Sequence, residues 1–222
     1  KNKYIAYTLG PEGFGMYGLL NSFFAFISVF AGSWISVAVT KYIAEYASKN
    51  DINNVKSLVS ISVILPIILS TILSILLILC RKLTIKYFLS SEITDLYFVF
   101  FSIAFIARTL NPIIGSIFQG LKNVKSYALL KSGSVFIELI FIVCFIYLFD
   151  LLGFFVGIFI SSTLSGIIYL ITINKKIPVS IQLINIDSAA TKRLLNFGKV
   201  NFFLSVFYLF AQYFQRKVIL KH

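Results

Sequence analysis

Two charged residues stand where the surrounding sequence is otherwise apolar. Arg108 is the only charge in residues 96–121, and Glu138 is the only charge in residues 132–149. A guanidinium presents a planar fork of donors that engages a carboxylate or a phosphate through two bonds at once. Arg108 lies eleven residues before Gln119 and Glu138 lies eleven after Tyr127, so the two flank one short polar segment symmetrically. At about 1.5 Å per helical residue each is roughly 16 Å from that segment, near the centre of ~30 Å of hydrocarbon. Consecutive antiparallel helices would hold both side chains at one level. An unpaired central Arg costs about 2.5 to 3.5 kcal/mol and an acid a similar amount, so a shared pair offsets both penalties. Two readings stay open: a structural ion pair, or an Arg108 that faces a cavity and binds an anion while Glu138 orients or releases it.

Other reactive residues are sparse. The remaining acids, Glu12, Glu45, Asp51, Glu92, Asp95, Asp150 and Asp187, fall at the edges of apolar runs. His222 is the only histidine, which argues against histidine catalysis and against a zinc site built on two histidines. Cys80 and Cys144 sit in separate apolar runs without metal-spaced neighbours and are expected to be small buried hydrophobes. The glycines from Gly10 to Gly18 lack the GK[ST] of a phosphate loop and predict a tight turn between two spans, with at least one glycine at positive φ and Glu12 exposed. No catalytic, cofactor or metal constellation appears, so an enzyme is not expected.

The elements that must position Arg108 and Glu138 follow from composition. Of 222 residues 59% are hydrophobic and 13% charged, and the mean hydropathy is +0.93. Such a chain has lipid as its solvent. The net charge of +12 gathers in clusters between uncharged stretches, a membrane-topology pattern rather than a nucleic-acid footprint. Residues 13–40, 57–80 and 151–174 carry no charge, and with 96–121 and 132–149 they make five spans. A sixth is expected at 200–215, and residues 1–9 read as the tail of a preceding span. Run length and the lack of alternation favour helices over barrel strands, so the fold class is an all-α polytopic transmembrane bundle. Pro66 and Pro112 predict kinks within their spans.

Alternating the loops collects Lys41, Lys49, Lys56, Lys122, Lys125, Lys131, Lys175, Lys176, Lys192, Arg193 and Lys199 on one side, eleven basic residues against at most eight on the other. The loops at 41–56, 120–131 and 175–199 are therefore placed in the cytoplasm. Lys41, Glu45 and Lys49 at i, i+4, i+8 predict that the second span continues as a helix beyond the membrane. Asp187 or Ser188 is suited to cap an interfacial helix through Lys192 and Arg193, with a solvated connector as the alternative.

Three motifs in order carry a family resemblance. Leu9-Gly10-Pro11-Glu12-Gly13-Phe14-Gly15-Met16-Tyr17 with Tyr42-Ile43-Ala44-Glu45-Tyr46, then Gln119-Gly120-Leu121-Lys122-Asn123 with Tyr127-Ala128, then Leu194-Leu195-Asn196-Phe197-Gly198 resemble bacterial polysaccharide biosynthesis transporters of the multidrug/oligosaccharidyl-lipid/polysaccharide exporter superfamily. Two departures stand out: Tyr7 and Thr8 occupy the place of an Arg common before the Leu-Gly-Pro turn, and Gln215 with Arg216 replaces an acid near the end of helix seven. The resemblance implies the first six-helix bundle of a two-bundle transporter plus the next helix: residues 1–174 as that bundle with its first helix truncated, 175–199 as a cytoplasmic linker, and 200–222 as the start of the second bundle. It further implies a multi-pass protein of the bacterial cytoplasmic membrane that flips an undecaprenyl-diphosphate-linked oligosaccharide, with Arg108 and Glu138 as candidate substrate-binding residues, no cofactor, and membrane lipid and polysaccharide assembly proteins as partners. The rival readings are a multidrug or metabolite cation antiporter of the same superfamily and a membrane-embedded polymerase or glycosyltransferase.

Overall fold

In the computed structural model, residues 2–88, 95–176 and 188–219 are described, and every regular element among them is helical. The chain runs α1 (Asn2–Phe30), a 3-10 turn (Ser33–Ile35), α2 (Ser36–Ser48), α3 (Ile52–Leu79), α4 (Arg81–Phe88), α5 (Asp95–Gly120), α6 (Val124–Lys176) and α7 (Ser188–Ile219). The 53 residues of α6 fold back on themselves. A Cβ on Gly153 would collide with the Phe145 carbonyl, and one on Gly157 would lie 3.0 Å from the Phe141 carbonyl, contacts impossible along a straight helix. The two arms are α6a (Val124–Phe149) and α6b (Leu152–Lys175), an antiparallel hairpin closed at Asp150. Four described helices, α3, α5 and the two arms, are long and apolar enough to cross a membrane, and a fifth span results if the bent pair Asn21–Phe30 and Ser33–Ser48 counts as one. The chain is a multi-pass membrane protein. The sixth stretch expected at 200–215 falls in α7, which runs unbroken from Ser188, and the side chains after Phe207 lie outside the described residues. Asp187, Glu92, His222 and the side chains of Glu12, Gln215 and Arg216 lie outside them too.

The turn expected across Gly10–Gly18 is a single kink. Gly10 alone leaves helical geometry, at φ 69 and ψ −175, a region open essentially to glycine only. Pro11 then restarts the helix at the position where a missing N–H costs nothing. The charge-free stretch 13–40, expected as one span, breaks at Gly32 (φ 103), and its halves meet at 68°. Gly32 faces Pro66 of α3, but a Cβ there would make only an ordinary 3.4 Å contact with the proline ring, so it is the positive φ that favours glycine. Hydropathy carries no record of this bend.

Two of the three loops expected to face the cytoplasm are built alike, and the third falls partly outside the described residues. After α2, Asn50 adopts φ 55 and the Asp51 N–H reaches back to the Tyr46 carbonyl at 3.0 Å, after which Asp51 caps α3 by accepting from the Asn54 N–H at 3.2 Å. After α5, Lys122 adopts φ 57 and the Asn123 N–H reaches the Phe118 carbonyl at 2.9 Å, after which Asn123 caps α6a by accepting from the Ser126 N–H at 3.3 Å. A left-handed residue closes one helix and an Asx side chain opens the next. The expected continuation of the second span is present in α2, where Lys49 meets Glu45 at 2.8 Å. That hydrogen bond, just past the charge-free stretch, holds the Glu45 carboxyl below the usual carboxylate range.

Packing resolves into two apolar cores. One gathers Phe23, Phe24 and Ile27 of α1, Phe98, Phe101 and Phe105 of α5, Ile142 and Ile146 of α6a, and Phe154, Phe155 and Ile158 of α6b. The other gathers Val39 and Ile43 of α2, Leu58 and Val63 of α3, Leu110 to Phe118 of α5, and Tyr169 and Ile173 of α6b. Small residues bring the backbones together. Ser74 of α3 donates to the Ser102 carbonyl of α5 at 2.7 Å, Thr40 of α2 donates to the Ser116 carbonyl at 3.2 Å, and a Cβ on Gly120 would meet Ile43 at 2.9 Å. Cys80 and Cys144, expected to be buried, are both exposed, because α3 ends at one and the outer face of α6a carries the other. In a bilayer such apolar faces are covered by lipid rather than protein, so an apolar run does not identify the core side of a span. The most open span is α6a, with Leu129, Phe136 and Tyr147 all exposed.

Candidate functional site

α5 and α6b pass through both cores, and near the junction of the cores several polar side chains interrupt their apolar faces. On α5 these are Arg108, between Phe105 and Leu110, and Asn111, one residue after Leu110. On α6b they are Ser161, Ser162 and Ser165, between Ile158 and Tyr169. On α6a, Lys131, Ser134, Val135 and Glu138 follow one another at steps of 3, 1 and 3, which is a single helix face. Together these nine residues line one half-open cavity of about 100 Å³.

Arg108 and Glu138 therefore share a wall, as the eleven-residue symmetry about the 119–127 segment predicts. The α5–α6a turn fixes their common level, and the α6a–α6b hairpin brings the serines to it. Arg108 has a second support: its guanidinium carbon stands 4.8 Å from the centroid of the Phe24 ring on α1. Such a cation–π contact, in partly desolvated surroundings, contributes about 1 to 2 kcal/mol. Pro112 cannot donate to the Arg108 carbonyl, and the Asn111 Oδ1, buried on the same turn, has no hydrogen-bond partner among the described residues. Tyr169, 3% exposed, donates to Ser134 Oγ at 2.8 Å, and Ser134 donates to the Lys131 carbonyl at 2.9 Å. That chain of bonds ties α6b to the stretch of α6a that carries Lys131.

Sequence reasoning placed Lys131 among the topology signals and passed over Asn111, Ser134, Ser161, Ser162 and Ser165. A signal was present, since 108/111, 131/134/138 and 161/165 are all helical repeats of polar residues inside apolar runs. The cavity holds two cationic groups and one carboxylate, with a rim of hydroxyls and an amide. It suits an anion flanked by hydroxylated groups. No group of three or more potential metal-ligating side chains occurs among the described residues.

Comparison with solved structures shows the fold. The chain is similar to an outward-facing multidrug resistance MATE family transporter of the MOP superfamily, with a TM-score of 0.79 at 18% identity over 98% of this chain and 50% of that one. It is also similar to a MOP superfamily transporter from Pyrococcus furiosus described as having a binding pocket of reverse polarity that suggests a different function, with a TM-score of 0.73 at 17% identity over 98% of this chain and 50% of that one. The chain thus spans about half the length of these proteins. Comparison with curated proteins found no significant match. A family model described as "polysaccharide biosynthesis protein" matches residues 2–221, nearly the whole chain, and the chain belongs to that family.

Proposed function

We propose that the chain is half of a transporter that carries an undecaprenyl-diphosphate-linked oligosaccharide from the inner to the outer leaflet of a bacterial cytoplasmic membrane. The observation that carries this reading is the polar pocket where Arg108, Lys131 and Glu138 meet Ser134, Ser161, Ser162 and Ser165. A diphosphate with attached sugars cannot cross hydrocarbon unaided, and a carrier must offer it cations and hydroxyls at mid-membrane while the polyprenyl tail stays in lipid. Arg108 engages phosphate oxygens with its fork, and Glu138 competes for the same guanidinium and so limits how tightly the substrate is held. A second bundle would complete the cavity and rock against this one, exposing it to each face in turn. Lys122, Lys125 and the hairpin they occupy face the cytoplasm in this arrangement.

Pocket polarity separates this reading from its rival in the same superfamily. A carrier of organic cations uses buried carboxylates and an anion carrier favours basic residues, and here two cations face one carboxylate. The test is reconstitution in proteoliposomes, comparing movement of a fluorescent polyprenyl-diphosphate oligosaccharide with efflux of a lipophilic cation. Protein-dependent flipping without cation efflux is the expected result. Cation efflux alone would assign the chain to the antiporters.

A further inference from the structure

The break at Gly32 is not left to itself: α7 is fastened across it. Phe202 of α7 lies against Phe30, the last residue before the break, with ring centroids 5.8 Å apart, and against Trp34, just after it, at 6.2 Å. Both contacts are edge-on, the geometry aromatic pairs favour. One turn earlier on α7, Gly198 sits so close to Trp34 that an added Cβ would collide with the indole ring. At the preceding residue, the Phe197 ring accepts Lys41 Nζ at 4.5 Å from its centroid and meets Tyr42 edge-on at 6.0 Å. Leu194, fully buried, completes the stripe in the core that contains Ile35, Ala38 and Val39. The stripe Leu194, Gly198, Phe202 is the face of α7 that rides on the bent helix, and its aromatic end straddles the bend.

A clamp of this kind selects an angle. Gly32 at φ 103 has no side chain to fix its backbone, so the 68° between the halves is held by what packs on both of them. The joint also carries polar groups uncommitted in this state: Ser36 Oγ beside the break and Asn201 Nδ2 beside Phe202 are both buried without hydrogen-bond partners among the described residues. Buried groups left unpaired raise the free energy of the arrangement that strands them, which keeps a second arrangement within reach.

We propose that α7 is a lever that sets the bend of the α1–α2 helix: Gly198 against Trp34 is the pivot, Phe202 is the wedge, and movement of α7 opens or closes the Gly32 joint. The role is conformational. It does not depend on which substrate the cavity takes.

Spin labels at Leu19→Cys and Ser48→Cys, one on each side of the break, read the angle in the full chain with Cys80 and Cys144 changed to Ser. Counting about 1.5 Å per residue from the break, the labelled backbones are roughly 35 Å apart at the observed bend and roughly 42 Å apart in a straight helix. The native wedge gives a distribution centred at the shorter distance. Phe202→Leu, which keeps an apolar side chain but loses the edge contacts to both sides, is expected to broaden the distribution toward the longer distance, and Gly198→Val, which pushes α7 off Trp34, is expected to do the same. Phe202→Tyr, which keeps the ring, should leave it unchanged. A folded Phe202→Leu protein whose distribution matches the parent overturns the lever, whatever Gly198→Val does, because the bend would then be intrinsic to Gly32.

Discussion

Neutralising the cavity charges one at a time and together separates packing from substrate recognition. Arg108→Gln removes a guanidinium that stands 4.8 Å from the Phe24 ring and lines one cavity with Glu138. For insertion the loss of charge is favourable by about 2.5 to 3.5 kcal/mol, offset by about 1 to 2 kcal/mol of lost cation–π contact and by leaving Glu138 without its neighbouring cation, so the protein is expected to fold with little net change. Glu138→Gln acts the same way on its own helix. Transport follows a different sum. A charge-assisted hydrogen bond to phosphate is worth about 1.5 to 3 kcal/mol, which at 1.4 kcal/mol per tenfold corresponds to a loss of roughly 10- to 100-fold in flipping rate at low substrate. Four proteins are needed: Arg108→Gln, Glu138→Gln, the double neutral and the Arg/Glu exchange, each measured by detergent size-exclusion profile and by flipping in proteoliposomes. Substrate recognition by Arg108 predicts a double neutral that is monodisperse and 10- to 100-fold slow, and an exchange that is also slow because the guanidinium now projects from α6a. A double neutral within about twofold of the parent rate refutes the recognition role and leaves the pair as scaffold.

Three further outcomes follow from geometry already described. Gly120→Val puts a side chain where a Cβ alone would stand 2.9 Å from Ile43 and 3.0 Å from the Thr40 carbonyl, so overpacking between α2 and α5 should cost about 1 to 3 kcal/mol; an unshifted thermal midpoint would show that the two helices do not pack as described. Lys125→Cys, exposed at the start of α6a, should resist a membrane-impermeant maleimide in intact cells and react once cells are opened, and labelling of intact cells would invert the topology. Glu12→Gln should leave flipping unchanged, because the Gly10 kink is made by backbone conformation and not by the neighbouring carboxylate; a slow, well-expressed variant would give Glu12 a role in transport.

What the sequence disclosed about the site depended on how costly each residue is in hydrocarbon. Arg108 and Glu138 were conspicuous because an isolated charge there needs a reason, and the position of the 119–127 turn was enough to put them at one level. Serines give no such warning. Ser62, Ser102 and Thr163 each donate to the carbonyl four residues back and thereby satisfy themselves inside their own helix, so a hydroxyl in an apolar run is as compatible with plain packing as with a cavity wall. Lys131 was hidden for the opposite reason: near a helix end a lysine reads as a topology marker, and only its place one face along from Ser134 and Glu138 reveals which way it points. The bend at Gly32 was silent because hydropathy averages over side chains, while the bend is a matter of backbone φ and of aromatic contacts from α7, a helix distant in sequence. Each of these misses has the same origin. A hydropathy pattern measures what a residue costs to take out of water, whereas the cavity and the joint are defined by facing, and facing is fixed by contacts between segments distant in sequence.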